Sequence, residues 1–323
     1  MKRLSVIQCS CVLAVALTLL RANCSPQAAV HAAEFGPSAP GIYLPPNEQH
    51  PVVAMPIYRK SNHGVYVSVG TERSFIGAAL TRAKGLYVIE YDLLAVRFAM
   101  VNRALLAAST NRVDYANLRL AASQDVWRQR SQNLTGEDKE ILATPGLWAF
   151  WDKEVRRSWA DNFADFHTAP QHPNDPFFAS NYLFDDLLYR HLSSLAKSSR
   201  IWVRLVDLRH EQEVRALCDD LKSKGLPLGV VDTSDVPNAN SGASVAAHYV
   251  TLFSQYAQDD TLFLSTAAAH PPGMNWSYYA FSRGKVKGHD NNTIQRWYEI
   301  EMRKIGATQG LLALVDDADA IYH

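Results

Sequence analysis

The spacing of apolar residues along this chain changes at Val65. Before it, "FGPSAPGIYLPPNEQHPVVAMP" is interrupted by prolines and glycines and predicts an extended lead-in over residues 33–60. After it, "VYVSV" is a β-branched run. "TERSFIGAALTRAK" then carries Phe75, Ile76, Ala79 and Leu80 at helical spacing. "GLYVIEYD" is a second apolar strand that ends in acids, and "LLAVRFAMVNRALLAAS" is a second helix. The alternation then stops. Residues 110–200 hold tryptophans at 127, 148, 151 and 159 and end in an amphipathic helix from Tyr182. They predict a mostly helical insertion with an irregular loop around His167–Phe177. "RIWVRLVD", "LPLGVVDTSDV" and "DTLFLSTAA" resume as strands, separated by the helices "EQEVRALCDDLKSKG" and "SGASVAAHYVTLFSQYAQ". "NWSYYAFS" predicts one more strand, antiparallel to the last of them. The string βαβα, insertion, βαβαββ predicts an α/β fold. Its sheet is doubly wound, mostly parallel and Rossmann-like, with helices on both faces.

The N-terminus has a different pattern. Lys2 and Arg3 precede "VIQCSCVLAVALTLL", an apolar run of fifteen residues, and Val30-His31-Ala32 fits a small-x-small cleavage pattern. The run is shorter than the roughly 20 residues that span a bilayer. Residues 1–32 therefore read as a secretory signal, which predicts an exported protein, periplasmic or secreted, with no stable membrane span after leader removal. An uncleaved N-terminal anchor is the alternative. Cys9, Cys11 and Cys24 fall inside this segment, so Cys218 stands alone beyond it and no intrachain disulfide is expected there. Residues 61–323 form a single α/β domain on this reading.

Composition narrows the partners. The chain of 323 residues is 47% apolar and 20% charged, with a formal net charge of zero. No basic stripe is present, so nucleic acid is not expected as a partner and a small molecule is.

In doubly wound sheets, ligands bind beyond the carboxyl ends of the strands, at the point where the strand order reverses. The predicted strand tips place Gly70, Glu90 with Asp92, Asp207 and Asp232 there. Gly70 lets a backbone approach a ligand closely. Glu90 follows twenty residues later, about the spacing at which an acid reaches a ribose diol. Thr71, Glu72 and Arg73 open the first helix. Two readings of them stand side by side: helix capping by an acid, or a clamp in which Glu72 takes a ligand ammonium and Arg73 its carboxylate.

These residues resemble the class I S-adenosylmethionine-binding fold of most methyltransferases. "SVGTERS" matches its first loop, "VIEYD" its second strand tip with Glu90 at the ribose, and "FAMVN" its following helix with Ala99 and Asn102. "IWVRLVDL" puts Asp207 where an acid contacts the adenine amino group. "LGVVDTSDVPN" puts Asp232, Ser234 and Asp235 beside the reacting group. The likeness covers residues 65–110 and 200–282. It implies a transferase that uses S-adenosylmethionine, with Asp232, Ser234 and Asp235 as catalytic candidates. Gly70, Thr71, Glu72, Arg73, Glu90, Asp92 and Asp207 would bind the cofactor. The loop reads G-T-E-R instead of G-x-G-x-G. That departure, with "RVDYANLRL" (Asp114, Tyr115) and the long insertion, is similar to the 3-amino-3-carboxypropyl transferases of betaine-lipid synthesis. Methyl and aminocarboxypropyl transfer are thus both expected readings. An exported, non-catalytic binding protein that has kept the fold is the alternative.

Other constellations are weaker. His167, His172 and Asp175 lie among prolines at spacings that suit no helix face, so no metal site is expected; they read as a loop over the strand tips. "VVDTSD" lacks the G-x-S-x-G elbow of serine hydrolases.

Overall fold

The computed structural model describes residues 51–70, 72–157, 181–238, 241–268, 276–306 and 313–315. The elements are β1 (Val65–Val69), α1 (Glu72–Leu80), β2 (Gly85–Glu90) and α2 (Leu93–Ala108), then the insertion. The insertion holds α3 (Arg112–Arg119), α4 (Gln124–Ser131), α5 (Gly136–Ala143), α6 (Leu147–Trp151) and α7 (Asp186–Lys197). A π-helical stretch, Asp152–Arg157, follows α6 directly. The chain then returns to β3 (Ile201–Leu205), α8 (Glu211–Ser223), β4 (Leu228–Asp232), α9 (Gly242–Ser254), β5 (Leu262–Ala268), β6 (Trp276–Ser282), α10 (Asn291–Gly306) and β7 (Ala313–Val315).

Seven strands form one sheet in the order β3-β2-β1-β4-β5-β6-β7. The first five are mutually parallel, β6 runs antiparallel to β5, and β7 runs parallel to β6. From β1 the chain winds outward to β3, then returns to the other side of β1 for β4. The order therefore reverses between β1 and β4, which is where a ligand crevice forms in such sheets. The α/β class, the mostly parallel sheet and the antiparallel β6 agree with the sequence pattern. The pattern had not supplied α10 and β7.

Side-chain alternation along the strands separates the two faces. Val65 and Val67 of β1, Tyr87 and Ile89 of β2, Val231 and Phe263 share a core with α8, α9 and α10. On the opposite face, Tyr66 lies against Gly77 of α1, so close that a Cβ at residue 77 would stand 2.3 Å from the phenol oxygen. The same face carries α2 over β2 and β3, and the insertion folds back on α2. Side-chain caps start three of these helices. Asp92 accepts from Leu94 N and Ala95 N, Asn111 from Asp114 N, and Asp185 from Leu187 N and Leu188 N.

One tight backbone contact sets the register at the switch. A bulge shifts the β1–β4 pairing between Val65 and Tyr66, and the extra residue is Gly229. A Cβ on Gly229 would lie 2.7 Å from Gly64 N, so no larger residue fits without movement.

Residues 51–60 depart from the extended lead-in. Pro51–Ala54 and Met55–Tyr58 form short helical turns, and Ala54, Ile57 and Tyr58 are buried. Pro56 sits in the first turn of its helix, where its missing N–H costs nothing. Cys218 is buried as an apolar filler of α8, and burial pushes its thiol up to about 12.

Candidate functional site

The site begins where β1 stops. Gly70 leaves the strand with φ of 107°, a conformation that L side chains rarely adopt, and the chain turns at once into α1. Ser74 Oγ donates to Gly70 O at 2.5 Å and ties this turn to the first turn of the helix.

The strand tips bring several predicted residues together. The Glu90 carboxyl accepts backbone hydrogen bonds from Gly70 and Tyr91, and it feels the charges of Asp92 and Asp235. Its pKa is raised to about 7, chiefly because burial disfavours the ionised form, with the neighbouring carboxylates adding to the rise. The tips of β1, β2 and β4 thus converge, and Gly70, Glu90, Asp92 and Asp235 share one neighbourhood. Asp92 also caps α2 through Oδ1, 2.7 Å from Leu94 N and 3.2 Å from Ala95 N.

Asp207 lies two residues beyond β3, whose last residue Leu205 pairs with Glu90. Val206 N donates to Glu90 O at 2.8 Å, so this tip adjoins that of β2. The Asp207 carboxylate is gripped by Arg209, 2.8 Å from Nε and 2.5 Å from Nη2, and that hydrogen bonding lowers it to about 2. Among the described residues, no hydrogen bond or ion pair links Asp207 to Gly70 or Glu90. Two exposed apolar side chains flank this edge: Tyr91 is 63% exposed and Leu205 54%.

Glu72 and Arg73 are placed differently from either expectation. Both are buried and both are committed to other parts of the chain. Arg73 crosses β1 to Asp232, with Nε 3.1 Å from Oδ2 and Nη2 2.7 Å from Oδ1, and lies over the Tyr278 ring. Asp232, fully buried, also accepts from Tyr66 Oη at 2.6 Å and from Ser234 N at 2.9 Å. Its acceptor positions are occupied, so the carboxylate is an anchor of the fold and is not presented to the crevice. Ser234 takes a left-handed turn with φ of 54°, and its Oγ lies 3.4 Å from Asp235 Oδ1. Asp235 is half-buried and is the member of this group whose charge Glu90 feels.

Glu72 turns the other way, into the insertion. Arg119 Nη1 lies 3.1 Å from Glu72 Oε2 and 3.0 Å from Asn102 Oδ1. Tyr182 Oη donates to Glu72 Oε1, Tyr115 Oη donates to Asn102 Oδ1, and Asn102 Nδ2 donates to Glu72 Oε2 at 3.2 Å. The Arg119 guanidinium sits among the rings of Phe98, Tyr115 and Trp151, at 5.9, 5.8 and 5.5 Å. Burial pushes the Tyr115 and Tyr182 phenols well above their ordinary range, so both remain donors at neutral pH. Asn102 thus takes part in a buried network, and Asp114 holds Arg130 and Thr110 on the surface of α3.

Tyr66, Arg119 and Tyr182 had not been singled out from the sequence. Only Tyr66 had a local signal, as the aromatic that alternates with valines in β1 and so faces the other side of the sheet. Thr71 lies outside the described residues, as do His167, His172, Asp175 and residues 1–50. Among the described residues no group of three metal-binding side chains occurs, and no helix is long and apolar enough to cross a membrane.

The half-buried carboxyl groups around the Gly70 turn are therefore Glu90, Asp92 and Asp235. Such a set receives hydroxyl or ammonium donors. No curated protein matches the chain. A family model does match, over residues 43–281, a span running from ahead of β1 into β6 and including the insertion. The chain belongs to that family, described as a domain of unknown function, DUF7790.

Proposed function

We propose that the chain binds an adenosine-containing small molecule at the tips of β1, β2 and β3. Following its likeness to the class I methyltransferase fold, we propose that this is S-adenosylmethionine in a transfer of its methyl or aminocarboxypropyl group to an unidentified acceptor. The observation that carries the reading is the contact between Gly70 and Glu90 beside the reversal of strand order. A backbone turn without a side chain leaves room for a sugar, and the acid next to it can accept from both ribose hydroxyls. Tyr91 and Leu205 offer apolar surface beside the acid for a flat base, and Asp207 sits on the same edge.

The adenosine half of S-adenosylmethionine suits these residues. The amino-acid half does not find the partners that the resemblance assigns it, because Glu72 and Arg73 are engaged with Arg119 and Asp232. Asp235 is then the candidate that faces an acceptor, with Asp232 holding its turn in place through Ser234 N. The occupied state of Asp232 favours a second reading, an exported non-catalytic binding protein that uses the same crevice.

Calorimetric titration of the folded chain with S-adenosylmethionine and S-adenosylhomocysteine tests the first reading. Saturable heat that disappears in Glu90→Gln supports a site at the β2 tip. Heat unaffected by that variant would move the site elsewhere, and a flat titration would end the S-adenosylmethionine reading.

A further inference from the structure

We propose that Arg204 closes the outer edge of β3 against strand addition by a second copy of this chain. The proposal concerns the rim of the sheet and does not depend on the ligand reading above.

β3 stands at the end of the strand order, so among the described residues only β2 pairs with it. Which backbone groups face outward follows from that pairing. Arg200 O accepts from Leu86 N at 2.9 Å, and Val206 N donates to Glu90 O at 2.8 Å. Along a parallel strand, alternate residues bond to the same neighbour. Arg200, Trp202, Arg204 and Val206 therefore face β2, and Ile201, Val203 and Leu205 turn their N–H and C=O groups outward. A row of this kind is a template for another strand.

The row also fits a copy of itself. Two β3 strands set antiparallel about a two-fold axis at Val203 would pair Val203 with Val203 and Ile201 with Leu205. The residues that then exchange hydrogen bonds are the three whose backbone groups point outward. Leu205, 54% exposed, would gain Ile201 of the copy as an apolar neighbour.

Two arginines occupy this edge. Arg204 doubles back along its own strand, and its Nη1 donates to Val203 O at 3.0 Å, the carbonyl at the centre of that pairing. Asp220 Oδ2 of α8 lies 3.9 Å from its Nη2. Arg103 of α2 brings Nη1 to 3.5 Å from Ile201 O, while its other nitrogens hold Glu137 and Asp138 in the first turn of α5. An incoming strand would have to displace Arg204 from Val203 O and press against its charge. Charged side chains on an outer strand oppose edge-to-edge pairing in this way. Arg103 is fixed by two ion pairs, so Arg204 is the residue whose removal opens the centre of the row.

The test is sedimentation equilibrium on the full-length chain, with amide hydrogen exchange to locate any contact. Arg204→Ala is expected to dimerise on the order of tenfold or more tightly than the parent. Exchange at Val203 and Leu205 should slow as its concentration rises. Adding Val203→Pro should abolish the gain, since proline removes an outward N–H and leaves the pairing with β2 intact. Arg204→Gln, whose side chain is two bonds shorter than arginine, is expected to behave as Arg204→Ala does. It takes the place of that variant if the alanine chain fails to fold. Equal association of the parent and the folded Arg204 variant would overturn the proposal. So would a gain in association that survives Val203→Pro, because the contact would then lie away from the β3 edge.

Discussion

Arg73 and Asp232 meet across β1 in a two-pronged ion pair, with contacts of 3.1 and 2.7 Å and the carboxylate fully buried. The pair fastens the first turn of α1 to the tip of β4, the two elements on either side of the switch point. Removing one partner of such a pair leaves the other as a buried, uncompensated charge. Asp232→Asn is therefore expected to cost about 3 kcal/mol, seen as a lower urea midpoint at unchanged m-value. Asp235→Asn, at a half-buried position without an ion-pair partner among the described residues, is expected to stay within about 1 kcal/mol of the parent. Equal midpoints for the two variants would show that Asp232 does not anchor the fold.

The neighbouring residue Glu72 makes the matching attachment to the insertion. Glu72 and Arg119 are both buried, and Asn102, Tyr115 and Tyr182 hydrogen-bond to them. Glu72→Gln and Arg119→Met are each expected to lose about 3 kcal/mol or more, since each leaves an unpaired polar group. The double variant should lose clearly less than the sum of the two. A double-mutant cycle with a coupling of at least about 1.5 kcal/mol is the expected outcome. Strict additivity would mean that the insertion is not held through this pair.

Gly77 poses helix propensity against packing. Alanine in a helix is favoured over glycine by up to about 1 kcal/mol. Here the added Cβ would stand 2.3 Å from Tyr66 Oη and 2.4 Å from its Cζ. Tyr66 cannot swing away without giving up its hydrogen bond to Asp232. Gly77→Ala is expected to destabilise by about 2 kcal/mol net, because overpacking outweighs propensity. A thermal midpoint at or above that of the parent would mean that α1 can shift away from β1.

What the sequence conveyed follows from the range of the interactions involved. Strands β1 to β5 were legible because β-branched runs bounded by glycine and acids are local signals, and Glu90 because a strand tip can be counted along the chain. The roles of Glu72 and Arg73 were not legible. Their partners lie 47 and 159 residues away, and no pattern around residue 72 marks either one. An acid at a helix start looks the same whether it caps the helix, grips a ligand or anchors an insertion. The turn at residues 55–58 was not legible for a different reason. Proline reads locally as a breaker, although in the first turn of a helix it is permitted.

Glu90 gives a prediction in pH. Its folded-state pKa of about 7 lies above the ordinary 4.5, first because of burial and then because Asp92 and Asp235 stand nearby. Below about pH 4.5 the side chain is protonated whether the chain is folded or not, and it costs nothing. As pH rises from there to 7, the unfolded chain releases the proton first, so the folded state loses stability relative to it. Above 7 the cost is complete, on the order of 3 kcal/mol. Glu90→Gln removes this dependence. The stability difference between variant and parent, from urea midpoints at pH 5, 6, 7 and 8, should therefore grow in favour of the variant and level off near pH 8. Comparing the two chains cancels the titration of every other carboxylate. A difference that stays constant from pH 5 to 8 would mean that Glu90 is solvated and titrates normally. The Gly70 turn would then lack the desolvated acid on which a ribose-binding site depends.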